Sequence, residues 1–378
     1  MPNLNINITE NINDINPHIW QKLFGSHPLR QYGYYKSIEQ TQSKKFKFYY
    51  INFLKNNELI AIAPCFIMNF PIDFSLDKKY KRITNFISKI FYYLINIRTV
   101  FIGMPMSCQC DIAFNPEFQD KNIVLQEIIP AMKAIAKKEN AWMIAFKDFP
   151  RQYQSFLKNQ NFMEIETYPN ARLDINFDSF EDYLKTLSYA TRYDLRRKMK
   201  TYAGLKPLTL EIKKDCSECI DRIYQLYINT VNKNELHFDV AKKDYFLNIA
   251  KNMPEEIMYF IWKLDDKIVA FNQCFYKNDI MVGDFIGFDY NIVYKYNLYF
   301  VIFRDKIEWC IKNKIKVLDE GTFTLELKKR LKFKFYNNYF YMKPNFKLFE
   351  PIARIITPFF APSDQDKQLK ILKRFKKI

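Results

Sequence analysis

The stretch IKVLDEGTFTLELKKRLKFKFY, residues 315–336, decides how the chain is read. Ile315 to Leu318 has the apolar run of a short buried strand. Asp319 and Glu320 leave it as an acidic exit, and Gly321 marks a turn. Leu327 to Lys332 then opens a basic helix, and an aromatic strand follows. A strand, a polar turn and a helix put functional groups at the carboxyl end of a strand, where open α/β sheets bind ligands. With only seven glycines in the chain, one at this spot is informative. Taken alone, the stretch also fits an ordinary junction with a solvated basic face, so its surroundings must decide.

Those surroundings repeat. Residues 49–66, YYINFLKNNELIAIAPCF, align with residues 259–275, YFIWKLDDKIVAFNQCF, each two apolar strands around a charged tight turn. A helical stretch at 18–45, with Trp20, Leu23 and Phe24 on one side, precedes the first. Phe101-Ile102-Gly103 follows the first hairpin and Phe285-Ile286-Gly287 the second. An amphipathic helix then comes in each copy, at 121–138 and 298–314, and a strand after it, at 141–146 and 315–320. Each copy closes with a leucine-bearing basic helical turn and an aromatic strand ending at a proline, Pro169 or Pro344. Such order over this length predicts tandem copies of one α/β domain with a mixed sheet: residues 1–170, residues 171–346 and a basic tail, 347–378. The first copy has no counterpart of Asp319-Glu320-Gly321, which assigns the chemistry to the second copy and mainly scaffold to the first.

The copies differ by about 25 residues near 75–99, SLDKKYKRITNFISKIFYYLINIRT. Ile83, Phe86, Ile87, Ile90, Phe91, Leu94 and Ile95 fall at helical spacing beside Lys78, Lys79, Lys81, Arg82, Lys89 and Arg98. This basic amphipathic pattern suits a stripe over the domain's own core or a helix lying on a membrane. The tail, with KQLKILKRFKKI, repeats the theme. Between the copies, Ser179 or Asp178 caps a helix, and Arg192, Arg196, Arg197, Lys198 and Lys200 form a dense cationic side.

At 378 residues the chain has room for two domains. A hydrophobic content of 48% with 26% charged residues marks a globular protein. The net charge of +17 points to an anionic partner: nucleic acid, a phosphate-bearing ligand or an anionic membrane. Abundant Ile, Asn and Lys are what an AT-rich genome imposes, so part of the charge is compositional. The odd count of seven cysteines reads as reduced and mostly core, and His18, His27 and His237 do not sit at ligand spacing, so no metal is expected. The polar, Asn-rich start is unlike a secretory leader, and no apolar run approaches the roughly 20 residues of a membrane span. A cytoplasmic protein is expected, with peripheral contact on the inner face of the membrane as an open alternative. Neither a G-x-S-x-G elbow nor a Walker motif occurs.

Hairpin, third strand, helix, strand, helix, strand is the order of the Gcn5-related N-acetyltransferase (GNAT) fold. Doubled, with LSYATRYDLRRKMK ahead of the second copy, the chain resembles the Fem-type peptidyltransferases and the acyltransferases associated with cellulose-biosynthesis proteins. In the family's second-copy signature, Asp319 and Lys328 match; Leu327 and Leu331 stand for phenylalanines, and Lys332 for a glycine. The Ser188, Arg192, Arg196 pattern matches its linker helix. The resemblance spans residues 20–346 and implies acyl transfer to an amine, from acyl-CoA or, in the Fem branch, from aminoacyl-tRNA. The glycine-rich pyrophosphate loop of acyl-CoA enzymes is missing; FDYNIVYKYNLYF, 288–300, stands in its place. Lys295, Tyr296 and Asn297 at that helix start are the candidate donor-binding residues, and Arg192 and Arg196 the candidate substrate-binding ones.

Amine acylation needs a proton acceptor, donors for the oxyanion and a site for the donor ester. Asp319 or Glu320 suits the first role, and Lys328 the second or a phosphate. Capping acid and surface lysine are the bland readings of the same residues. His237 is a further candidate base. Three functions follow: an acyl-CoA-dependent N-acyltransferase, which leads; an aminoacyl-tRNA-dependent transferase; and a non-catalytic module binding an anionic membrane or nucleic acid.

Overall fold

The computed structural model describes residues 4–71, 96–233, 240–322, 324–346, 348, 350–356 and 369. The insertion read at 75–99 lies outside the described residues up to residue 95, as do His237 and residues 357–368 and 370–378 of the tail. Two compact units divide the chain.

The first unit starts with β1 (Leu4–Thr9), α1 (Pro17–Phe24) and α2 (Tyr32–Gln42). The hairpin β2 (Lys47–Lys55) and β3 (Glu58–Pro71) pairs Tyr49 with Cys65. Its turn residues Asn56 and Asn57 both take positive φ, 51° and 65°, the twist a two-residue hairpin needs. There follow β4 (Asn96–Ile102), β5 (Ala113–Phe114), α3 (Lys121–Lys138), β6 (Met143–Phe149), α4 (Gln154–Asn159) and β7 (Met163–Glu166). Residues 96–99 of the expected insertion thus belong to a strand. β4 and β6 run parallel, Thr99–Ile102 against Met143–Phe146. α3 lays Val124, Ile128, Met132 and Ile135 into a core with Ile51, Phe53, Val100 and Ile144.

The second unit opens on β8 (Asn170–Asp174), α5 (Phe180–Thr186) and α6 (Tyr189–Ala203). Next come β9 (Thr209–Lys213), α7 (Ile220–Lys233) and α8 (Lys243–Asn252). The second hairpin is β10 (Ile257–Leu264) and β11 (Lys267–Lys277), followed by β12 (Ile280–Phe288). α9 (Val293–Tyr296), α10 (Leu298–Lys312), β13 (Val317–Asp319), α11 (Leu325–Arg330) and β14 (Lys334–Tyr336) complete it. The sheet order is β14-β8-β13-β12-β11-β10-β9. β12 and β13 are the parallel pair, mirroring β4 and β6.

The aromatic strand ending at Pro344 corrects the boundary expected at 346. This strand, β15 (Tyr339–Pro344), enters the first unit's sheet between β6 and β7. The second unit ends at Tyr336. Its sheet is closed instead by β8, which pairs with both β13 and β14. Local sequence names a strand but not its partner, because the pairing is long-range.

α7 crosses β12 at Gly287. A Cβ there would lie 2.4 Å from Phe271 Cε1, 2.6 Å from the Leu226 carbonyl carbon and 2.7 Å from the Tyr227 nitrogen. Two of those neighbours are backbone and cannot rotate away. Gly287→Ala is therefore expected to cost about 1–3 kcal/mol by overpacking, read as a lower urea midpoint with unchanged slope.

Candidate functional site

The parallel pair of the second unit opens like a wedge. β13 contacts β12 only over Ile280–Val282, paired with Val317–Asp319. β12 runs on to Phe288, held on its other side by β11. Residues 283–286 are partly exposed, while Met281, Val282, Gly287 and Phe288 are buried. The β11 ladder slips here: Asn272 pairs with Ile286 and Cys274 with Gly283, so two residues of β12 stand opposite Gln273. Such a bulge frees ladder groups and re-aims side chains. Asn272 Nδ2 donates to the Phe285 carbonyl at 2.9 Å, satisfying one of them.

On one face of the bulge Asp284 Oδ2 accepts from Tyr245 Oη on α8 and from Gln273 Nε2, both at 3.1 Å. Gln273 is fully buried, and its Oε1 has no hydrogen-bond partner among the described residues. Burial pushes the Asp284 carboxyl up to about 7, against the pull of its two donors.

On the other face Lys306 of α10 forms an ion pair with Glu320, the residue after β13. Lys306 Nζ also donates to Asn272 Oδ1 at 2.5 Å, and its side chain is 1% exposed. Burial works against the ammonium, but the Glu320 carboxylate and the Cys274 sulfur outweigh it and hold the amine above its ordinary range. Gly283 makes this packing possible, since a Cβ there would sit 3.0 Å from both Glu320 carboxylate oxygens.

The turn after β13 is braced from three sides. Asp319, fully buried, binds Arg172 Nε at 2.7 Å and accepts from the Gly321 amide at 3.0 Å. The Arg172 guanidinium lies 5.0 Å over the Tyr336 ring. Lys328, 3% exposed, donates to the Glu320 carbonyl at 2.5 Å and reaches the Gly321 carbonyl at 3.4 Å. Asp319, Glu320 and Lys328 are thus brought together, each with partners within the unit.

The other described candidates make contacts of their own. Arg192 donates to the Lys185 and Leu187 carbonyls, both at 3.2 Å, and Arg196 pairs with Glu181. Both fasten α5 to α6. Lys295 is exposed on α9, while Tyr296 is buried, 6.3 Å from the Tyr202 ring. Asn297 takes φ 51° and starts α10 without a side-chain cap. The turn ahead of it uses four of its amides internally. Asn291 N donates to Asp289 Oδ1, Ile292 N to Asp289 O, Tyr296 N to Ile292 O and Asn297 N to Tyr294 O, at 2.9–3.3 Å. Those four amides are thereby engaged and do not point free, as the amides of a pyrophosphate cradle do.

Sequence reading passed over Asp284, Gln273, Tyr245, Lys306 and Arg172. Lys306 left a signal, because helical spacing sets it with Ile302, Phe303 and Cys310 on the buried side. It also missed a counterpart in the first unit. Lys147, 6% exposed in its side chain, binds Asp148 at 2.6 Å and the Ser107 carbonyl at 2.5 Å, at the carboxyl end of β6. The first unit keeps a buried ion pair where mainly scaffold was expected. Among the described residues, no His, Cys, Asp and Glu cluster has the geometry to hold a metal.

No protein of curated function matches the sequence. Solved structures do match the fold. A FemX structure superposes with a TM-score of 0.57 at 11% identity, covering 93% of this chain and all of that one. A tandem GNAT protein from the clavulanic acid biosynthesis pathway gives 0.53 at 9% identity, covering 91% and 99%. A conserved protein of unknown function from Bacteroides thetaiotaomicron gives 0.53 at 12%, covering 89% and 99%. These likenesses establish the tandem GNAT-type architecture. A family model for FemAB-like proteins, described as peptidoglycan biosynthesis/recognition, matches residues 11–333. With that match over most of its length, the chain belongs to the FemAB-like family.

Proposed function

We propose that the protein is a Fem-type transferase moving an aminoacyl group from aminoacyl-tRNA to an amine of a peptidoglycan precursor. The observation that carries this reading over the acyl-CoA one is the 289–298 turn, which holds no glycine and bonds its Asn291, Ile292, Tyr296 and Asn297 amides within itself. Family membership and the net charge of +17 support an RNA donor as well.

In this reading the acceptor amine enters the wedge beside residues 283–286 and attacks the donor ester carbonyl. A C–N bond forms and the C–O bond to the ribose breaks. The amine gives up a proton as the ribose oxygen gains one. Asp284 takes the amine proton, because its carboxyl titrates near neutrality and it sits where β12 loses its partner. Glu320 stands at the same opening, paired to Lys306, and orders it. Asp319 and Lys328 are positioning residues that hold the turn in shape.

The test is direct. Full-length protein is incubated with tRNA charged with a radiolabelled amino acid and a peptidoglycan precursor bearing a free side-chain amine. Label is expected to move to the precursor, with no transfer from labelled acetyl-CoA and no thermal stabilisation by it. Transfer from acetyl-CoA with none from charged tRNA overturns the reading.

A further inference from the structure

Helix α6 carries a stripe of side chains that the transfer chemistry does not use. Tyr189, Tyr193, Arg196 and Lys200 recur at the three- and four-residue spacing that sets them on one face of the helix. That face looks outward, since Thr191 and Leu195, the buried residues of α6, lie on the opposite side. Tyr189 is 76% exposed and Tyr193 62%. Their rings stack, 6.3 Å apart at 22°, so two aromatic faces stand side by side at the surface.

The stripe stays cationic after its ion pairs are counted. Arg192, Arg196, Arg197, Lys198 and Lys200 stand against a single acid of the same helix, Asp194. Asp194 is already shared by Arg197, Lys198 and Arg330 of α11, each at 2.9 Å. On α5, Glu181 pairs with Arg196, and Asp182 is taken by Lys185 of its own helix. Arg192 donates to neutral carbonyls, and Lys200, exposed, has no ion-pair partner among the described residues. The carboxylates of this surface are therefore fewer than its cations.

We infer, resting on the transferase reading above, that Tyr189 and Tyr193 stack unpaired nucleotides of the donor RNA while Arg196 and Lys200 meet their phosphates. Aromatic faces interleaved with cations are what a single strand needs, because its bases are free to stack and its backbone carries the charge. A duplex hides its base faces and leaves the tyrosines without a partner. A membrane fits less well: apart from its tyrosines, the exposed residues of α6 are Ala, Thr, Lys and Arg, with no aliphatic side chain to sink below the headgroups. The stripe is also tied to the site. Arg330, bound to Asp194, shares α11 with Lys328, which holds the Glu320 and Gly321 carbonyls.

Full-length protein is titrated into a fluorescein-labelled single-stranded RNA of about eight nucleotides, the same sequence closed in a hairpin stem, and uncharged tRNA. The single strand and the tRNA are expected to bind more tightly than the stem, and less tightly as salt rises. Tyr189→Ala with Tyr193→Ala is expected to weaken single-strand binding roughly tenfold or more at unchanged melting temperature, and the paired Phe substitutions to restore it. Lys200→Ala is expected to lower the salt slope by about 0.7. Equal binding of single strand and stem, full binding by the folded alanine variant, or an alanine variant that keeps RNA but loses phosphatidylglycerol vesicles overturns the inference. If the alanine variant unfolds, the Phe pair and the Lys200→Ala slope decide. Transfer from charged tRNA is measured on the same proteins. Transfer and RNA binding both intact in the alanine variant would sink the stripe and leave the transferase reading standing. Tyrosine-dependent RNA binding with no transfer from charged tRNA would sink that reading and leave the stripe as an RNA site.

Discussion

Asp284→Asn is expected to lower the rate of aminoacyl transfer by about 10²–10⁴-fold, the usual contribution of a positioned proton acceptor. In the unsubstituted protein kcat/KM should rise with pH through about 7, as the Asp284 carboxylate appears, and the substitution should flatten that limb. Tyr245 on α8 and Gln273 on β11 both donate to this carboxyl. An asparagine keeps one acceptor for them but accepts no proton. Stability moves the opposite way. The folded-state carboxyl holds its proton up to about 7, whereas in the unfolded chain it releases it near the ordinary aspartate value of 3.8. Between those values the folded state binds more protons, so this group's contribution is greatest below pH 4 and falls as pH rises through 7. Asparagine carries no such charge. The variant should therefore melt higher than the unsubstituted protein at pH 8 and about equally at pH 4. A rate unchanged by Asp284→Asn, with the pH limb intact, removes Asp284 from the mechanism. A higher melting point at pH 8 alongside an unchanged rate would leave it as a buried acid and nothing more.

How far the sequence carried this picture depends on which interactions are local. The hairpins were legible because alternation and a two-residue turn are local properties, and Asn56 and Asn57 adopt the conformation their sequence suggests. The doubling was legible because the same elements recur in the same order. The destination of β15 was not, since nothing in YFYMKP states whether it pairs with β6 or with β13. At the site, the turn at Asp319 to Gly321 announced itself by an acidic exit and a glycine. Asp284 did not. The bulge breaks the strand's period of two just where that residue's face would have to be read. Lys147–Asp148 escaped because its charges stand inside an apolar strand, where tertiary neighbours such as Ser107 and Thr167 explain them.

Lys306→Met is expected to destabilise the protein by about 3–5 kcal/mol, the cost of leaving one member of a buried ion pair without its partner. The Glu320 side chain is 9% exposed and lies against Gly283, so water cannot readily replace the ammonium. Asn272 Oδ1 loses its donor at the same time, which adds to the loss. Glu320→Met should cost a similar amount, because it strands the ammonium instead. The double variant discriminates between explanations. Removing both charges replaces the pair with apolar volume, and such replacements are often neutral or stabilising. Here the Asn272 acceptor still lacks a partner, so recovery should be partial: more than half of the single-variant loss, but not all of it. Urea unfolding of the four proteins measures this as a coupling energy. Additive losses would mean that Lys306 and Glu320 act on stability independently, and the pair would then owe its place to ordering the wedge rather than to holding it closed. Strong coupling with a near-normal transfer rate in the double variant would assign the pair to the fold, leaving Asp284 to carry the proton alone.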